Sequence, residues 1–258
     1  MRAWITYLSL LITVIVLLLC LIRLHPYYQY AQLQDMNLSP SPIKTDTLKI
    51  AFIGDSWADY HHPYDSLLCS MLSVGARLVS VKTKGNVGAK SKGIYERLSS
   101  TTRPILVWHP HYCIISAGIN DAVAKLGADN YVHHYLLILR QLIRLGIKPV
   151  VLEVPDVNYR AIASRESWTM RLHHTLSSFL TGSKMYNFDS YRTSLKDAID
   201  DLVRGGKVVY IPADVWNPLG YLDNRRLYES DETHLNPLGY HLLDSCIASV
   251  ILRDMKQK

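Results

Sequence analysis

Four short apolar runs, Leu48 to Ile53, Leu78 to Val81, Tyr112 to Ala117 and Pro149 to Val154, punctuate the middle of this chain. Each has the length of a buried strand, and the stretches between them are far longer than hairpin loops. Those stretches carry helical patterns over about Tyr64 to Ser73, Lys92 to Ser99 and Asn130 to Leu145, where Leu136, Leu139 and Ile143 recur at helical spacing. Helix-length crossovers join parallel neighbours, and a parallel sheet needs cover on both faces. The alternation therefore predicts a three-layer α/β/α body with a mostly parallel sheet.

The pattern continues with a helix expected from Ser164 to about Leu180, another from Ser194 to Val203, and a short strand from Lys207 to Ile211. The last helix is better marked. Asn236 can cap it, Pro237 suits its first turn, and Leu238, Leu242, Leu243, Ile247 and Ile251 make an apolar stripe.

Ahead of this body, Ala3 to Ile22 is almost unbroken apolar sequence between Arg2 and Arg23. At about 20 residues it matches a bilayer core, and its bulky end, Leu17 to Ile22, lacks the small residues of a signal-peptidase site. Residues 1–24 are read as a transmembrane signal anchor. Residues 25–46 are read as a linker, with Tyr27, Tyr28 and Tyr30 suited to an interface and Ser39-Pro40-Ser41-Pro42 resisting regular structure. Residues 47–258 form the expected domain, placed on the extracytoplasmic side, periplasmic or extracellular, although flanking charge is nearly balanced.

A formal net charge of +6 is spread among acidic residues with no basic run of five, which argues against a nucleic-acid partner. Cys20, Cys69, Cys113 and Cys246 show no C-x-x-C spacing, so a cysteine zinc site is excluded, and free thiols are favoured over a disulfide. The pairs His61-His62, His133-His134 and His173-His174 lack metal-ligand spacing. Neither a metal nor another cofactor is expected, and oligomeric state is left open.

In an open parallel sheet, ligands collect beyond the carboxyl ends of the strands. The first strand runs into Gly54-Asp55-Ser56-Trp57, which puts a hydroxyl at a strand-to-helix turn. By itself this tripeptide occurs in roughly one chain in fifteen of this length, and taken alone it is better explained as a helix cap. The third strand runs into Gly118-Ile119-Asn120-Asp121, where Asn120 can donate to an oxyanion or simply cap a helix. Gly85-Asn86-Val87-Gly88 after the second strand reads as a tight loop whose backbone can approach a ligand. Asp231-Glu232-Thr233-His234 stands before the final helix, and its spacing lets the carboxylate reach Nδ1 while Nε2 stays free.

Taken together and in this order, these blocks resemble those of the SGNH, or GDSL, hydrolases over roughly Leu48 to Leu252. The resemblance implies a flavodoxin-like SGNH hydrolase fold and a serine esterase. Ser56, His234 and Asp231 would be its triad, and Ser56 N–H, Gly88 N–H and the Asn120 amide its oxyanion donors. Gly85 competes with Gly88 for that role, and Glu232 stands where the family often has glycine. The expected substrate is a carboxylic ester, first an O-acetyl group on a glycan, with a lysophospholipid or other acyl ester as alternative. Acyl transfer to a sugar and an inactive, membrane-tethered glycan-binding domain are the other readings.

Overall fold

A computed structural model describes residues 2–24, 47–73, 78–182 and 188–256. Five parallel strands form its centre: β1 (Thr47–Gly54), β2 (Leu78–Gly85), β3 (Tyr112–Ser116), β4 (Lys148–Leu152) and β5 (Val209–Ile211). They lie in the order β2-β1-β3-β4-β5, every neighbouring pair parallel. β3 and β4 are buried along their whole length, as continuous apolar runs require of central strands. β2 lies at one edge, where exposed Lys82 and Lys84 discourage pairing with another chain.

The first helix, α1 (Arg2–Leu24), coincides with the apolar run. Among the described residues, however, no helix is long and apolar enough to cross a membrane; the side chains described in α1 run only from Trp4 to Leu18, and all are exposed. The linker at 25–46 lies outside the described residues.

Short helices α2 (Ser56–His61) and α3 (Asp65–Leu72) follow β1, and α4 (Ser91–Arg97) and α5 (Arg103–Val107) follow β2. After β3 come α6 (Ile119–Val123) and the long α7 (Ala128–Arg144). β4 leads to α8 (Tyr159–Arg165), α9 (Trp168–Thr181) and α10 (Phe188–Arg204). β5 leads to α11 (Ala213–Trp216), α12 (Gly220–Asp223) and α13 (Pro237–Lys256). α4 and α10 pack on α7 and cover one face of the sheet, while α3 packs on α13 over the other. The three expected layers are present.

The helix expected from Ser164 to Leu180 is two helices. α8 ends at Arg165, and Ser167 starts α9 by accepting the Met170 N–H, a capping choice that wins over helical continuation. β5 is shorter than its apolar run, and α10 begins several residues before Ser194. Asn236 caps α13 as its position requires, its Oδ1 accepting the Gly239 N–H at 3.0 Å.

Candidate active site

The order 2-1-3-4-5 reverses direction between β1 and β3, and a crevice opens where the connections on either side diverge. The turns after these two strands carry Ser56 and Asn120. At the first turn Asp55, not Ser56, is the helix cap: its Oδ1 accepts the Trp57 N–H at 3.0 Å and the Ser116 hydroxyl at 2.8 Å. Burial drives the Asp55 carboxyl up to about 7 against these hydrogen bonds, and nearby Asp121 adds to the effect. With Asp55 capping α2, the Ser56 hydroxyl is released for another partner.

That partner comes from the far end of the chain. His234 Nε2 lies 2.8 Å from Ser56 Oγ. Its Nδ1 meets Asp231 Oδ2, and Asp231 Oδ1 accepts the backbone N–H groups of Thr233 and His234, each at 2.9 Å. Burial disfavours charge on Asp231, but the His234 and Thr233 backbone donors and the imidazole outweigh it and hold the carboxyl below its ordinary range. A carboxylate can only accept, so Nδ1 carries the proton and Nε2 presents its lone pair to the serine hydroxyl. A hydroxyl so placed can lose its proton as it attacks an electrophile.

The loop bearing Asp231 and His234 is pinned from several sides. Trp57 Nε1 donates to the Thr233 carbonyl at 3.1 Å, tying the loop to α2, and the Tyr60 ring meets the imidazole edge-on at 4.5 Å. Arg165 at the end of α8 donates to the Asp231 carbonyl. Glu232 has φ 57°, the left-handed region, which supplies a physical reason for glycine at this position in related chains. Its backbone carbonyl accepts the Asn158 N–H at 3.0 Å and its carboxylate accepts Asn158 Nδ2 at 2.6 Å.

The two candidate glycines separate cleanly. A Cβ on Gly85 would sit 1.9 Å from the Asp59 backbone nitrogen, so Gly85 is required for α2 to approach the end of β2. Gly88 has φ 72° with open space around it, in a turn closed by the Ala89 N–H to Asn86 carbonyl bond. Asn120 Nδ2 donates to the Ala89 carbonyl at 3.0 Å and so joins the block after β3 to the Gly88 loop. Its neighbour Asp121 is buried, with its carboxyl pushed up to about 6 by desolvation, and receives the Ser91 N–H and hydroxyl at 2.8 and 2.6 Å.

The five residues singled out in the sequence, Ser56, Gly88, Asn120, Asp231 and His234, thus stand in helix starts and loops beyond one end of the sheet. Sequence reading offered a helix cap within Gly54-Asp55-Ser56 without choosing Asp55, and passed over Trp57, Tyr60, Asn158 and Arg165. Asp55 carried the one usable signal, a carboxylate directly after an apolar strand; the others act through contacts between distant segments. Among the described residues, no group of three or more His, Cys, Asp or Glu side chains is arranged to hold a metal ion.

A three-layer body around a parallel sheet, with serine, imidazole and carboxylate linked at its switch point, has the layout of the SGNH hydrolases. The chain belongs to the GDSL-like lipase/acylhydrolase family, whose model matches residues 52–242, and is accordingly a hydrolase acting on ester bonds. In structure it is similar to an acetyl xylan esterase, AlAXEase, at 18% identity and a TM-score of 0.57, over 79% of this chain and 99% of that one. It is also similar to the psychrotrophic esterase EstA from Pseudoalteromonas sp., at 13% identity and a TM-score of 0.55, over 80% and 97% of the two chains. A GDSL-like lipase from Bacteroides thetaiotaomicron is similar at 15% identity and a TM-score of 0.51, over 84% and 91%. No curated protein matches the chain.

Proposed function

We propose that the protein is a serine esterase that removes O-acetyl groups from a glycan, with Ser56 as nucleophile, His234 as base and Asp231 as the acid that orients it. The continuous hydrogen-bond chain from Ser56 Oγ through the imidazole to Asp231 carries this reading. His234 takes the serine proton as Oγ attacks the acetyl carbonyl, and the imidazolium returns it to the departing sugar oxygen. Water, deprotonated by the same ring, then attacks the acetyl-enzyme and releases acetate. The Ser56 and Gly88 N–H groups and Asn120 Nδ2 stabilise the tetrahedral oxygen; an amide nitrogen has two hydrogens, so Asn120 keeps one after serving Ala89.

The acetyl glycan is favoured by the polar rim that Asn158, Glu232 and Arg165 build around the His234 loop, which suits a hydroxyl-rich alcohol better than a second lipid chain. The fold likeness to an acetyl xylan esterase points the same way. α1, carried on through the unbroken apolar sequence to Ile22, is read as a single-pass anchor that holds the domain outside the cytoplasm.

Acetate release from an acetylated xylan and fatty-acid release from a lysophospholipid, measured in parallel with the wild-type and Ser56→Ala chains, test this. Acetate release that depends on Ser56 is expected. Release surviving the substitution would overturn the nucleophile, and a preference for the lysolipid would overturn the substrate.

A further inference from the structure

The helix α9 is amphipathic in the inverted sense. Its polar side faces the body: Ser177 and Thr181 each donate to the Lys125 carbonyl at 3.0 Å, and buried His174 meets Glu166 at 2.9 Å. Its apolar side faces out. Trp168, Leu172, Leu176 and Phe179 are spaced i, i+4, i+8 and i+11, so they fall within about 80° of one another around the axis. They are 74%, 63%, 49% and 60% exposed. A helix of a globular domain turns such a stripe inward, and a contiguous exposed stripe marks a surface that something apolar covers.

Two neighbours identify the cover. α1 packs against α9 and is itself largely apolar and exposed from Trp4 to Leu18, so two helices with exposed apolar side chains are neighbours. Beside the stripe, Arg160 and Arg171 line a hollow of about 400 Å³ together with Lys125, Ser164 and Thr175. The acid there, Glu166, is engaged by His174. An apolar stripe bordered by cationic side chains matches the layering of a bilayer surface, acyl chains beneath phosphate groups.

We propose that α9 is a second membrane contact, inserting Trp168, Leu172, Leu176 and Phe179 into the interface while Arg160 and Arg171 meet lipid phosphates. The inference takes from the proposed function only that the chain works at a membrane. Its consequence for the enzyme is orientation. α9 is bonded to α8 through Arg171 and the Ser164 carbonyl, and α8 is bonded to the catalytic loop through Arg165 and the Asp231 carbonyl. Docking of α9 adds a second contact with the lipid beside α1 and so fixes the height and tilt of the site above it.

The full chain, reconstituted in phosphatidylethanolamine and phosphatidylglycerol vesicles containing a photoactivatable phospholipid, tests this without using catalysis. After illumination, lipid adducts on peptides from both α1 and Trp168–Thr181 are expected. In the variant Trp168→Ser, Leu172→Ser, Leu176→Ser, Phe179→Ser, the α9 adducts disappear, those on α1 persist, and hydrolysis of a soluble acetyl ester is unchanged, which verifies folding. Adducts on α1 alone, or chain-to-chain cross-links at α9 in place of lipid, would overturn the docking. Adducts on α9 alone would uphold it and remove the spanning role of α1; adducts on neither remove both. Loss of esterase activity with the lipid pattern intact would strike the proposed chemistry and not the docking.

Discussion

Of the four described histidines that meet carboxylates, His61, His62, His174 and His234, two bear on the candidate site, His61 and His234, and only His234 also meets a serine hydroxyl. His61 ends α2 with Nε2 2.8 Å from Asp244 and Nδ1 3.3 Å from Asp65, and the His61 and Asp244 side chains are wholly buried. His234 meets one carboxylate through Nδ1 and the Ser56 hydroxyl through Nε2, its side chain 17% exposed. An imidazole with a carboxylate against each nitrogen has none left to receive a proton from a hydroxyl, so His61 is a clamp. His234 keeps one nitrogen as an acceptor and is reachable by substrate. The identity of the second partner, not the His–Asp pair, separates structure from chemistry.

The two pairs are mechanically joined. Ser56 opens α2 and His61 closes it, while Asp244 sits on α13, directly after the loop that carries His234. Tyr240 on α13 also donates to the Trp57 carbonyl at 3.0 Å, and its ring meets that of His61. The buried pair therefore holds together the two segments whose approach brings Ser56 to His234.

This contrast is most severely tested by Ser56→Ala. It should lower turnover on the order of a millionfold and leave the melting temperature nearly unchanged, as steady-state kinetics and calorimetry would register. His61→Ala should do the reverse. It strands Asp244 in the interior and should cost about 3–5 kcal/mol of stability, while activity per folded molecule, assayed well below melting, survives. A His61 variant as inactive as Ser56→Ala but fully stable would erase the distinction between the pairs.

The clamp also has a pH signature. Burial pulls the His61 pKa down, but hydrogen bonds and charge from Asp244 and Asp65 raise it on balance above the ordinary value of 6.5. A raised histidine contributes its full stability below the unfolded value and loses it as pH climbs through the folded one. Wild-type chain should therefore melt at a lower temperature at pH 8 than at pH 6 by a margin that His61→Ala reduces. An unchanged margin in the variant would mean that His61 is neutral in the fold.

Smaller effects refine the catalytic side. Asn120→Ala should cost about 3 kcal/mol of barrier, a loss of 10²- to 10³-fold in kcat; an unaltered kcat would take Asn120 out of the oxyanion site. Smallest is Glu232→Gly, which frees a left-handed backbone position and removes the carboxylate held by Asn158. It should leave kcat/KM for a small acetyl ester within a few-fold and raise KM for a polymeric glycan. Equal losses on both substrates would make Glu232 part of the machinery rather than its rim.

Much of this was legible in the chain. β1, β3 and β4 announce themselves because central parallel strands are apolar on both faces, and α13 because its cap and stripe are local. The spacing of Asp231 and His234 is also local, since three residues in a turn suffice to bring a carboxylate to an imidazole. The break at Glu166-Ser167 was hidden, because the residues on both sides suit a helix and only the side-chain cap divides them. Gly85 and Gly88 looked equivalent, since the sequence holds no trace of how closely α2 approaches β2. Asp55 and Ser56 were both suited to cap α2, and the bond from Ser116 on a neighbouring strand settles which one does.

Periodicity and turn chemistry are properties of neighbouring residues, and from them the chain alone determines a parallel α/β body, its strand ends and a short list of reactive side chains. Tertiary structure decided that a serine and a histidine 178 positions apart lie within a hydrogen bond. It also decided that His61 is sealed between two carboxylates and that α9 turns its polar side inward. Those outcomes depend on the order in which strands join the sheet and on which helix faces meet, and a one-dimensional pattern of apolar and polar residues constrains such contacts only through the whole fold.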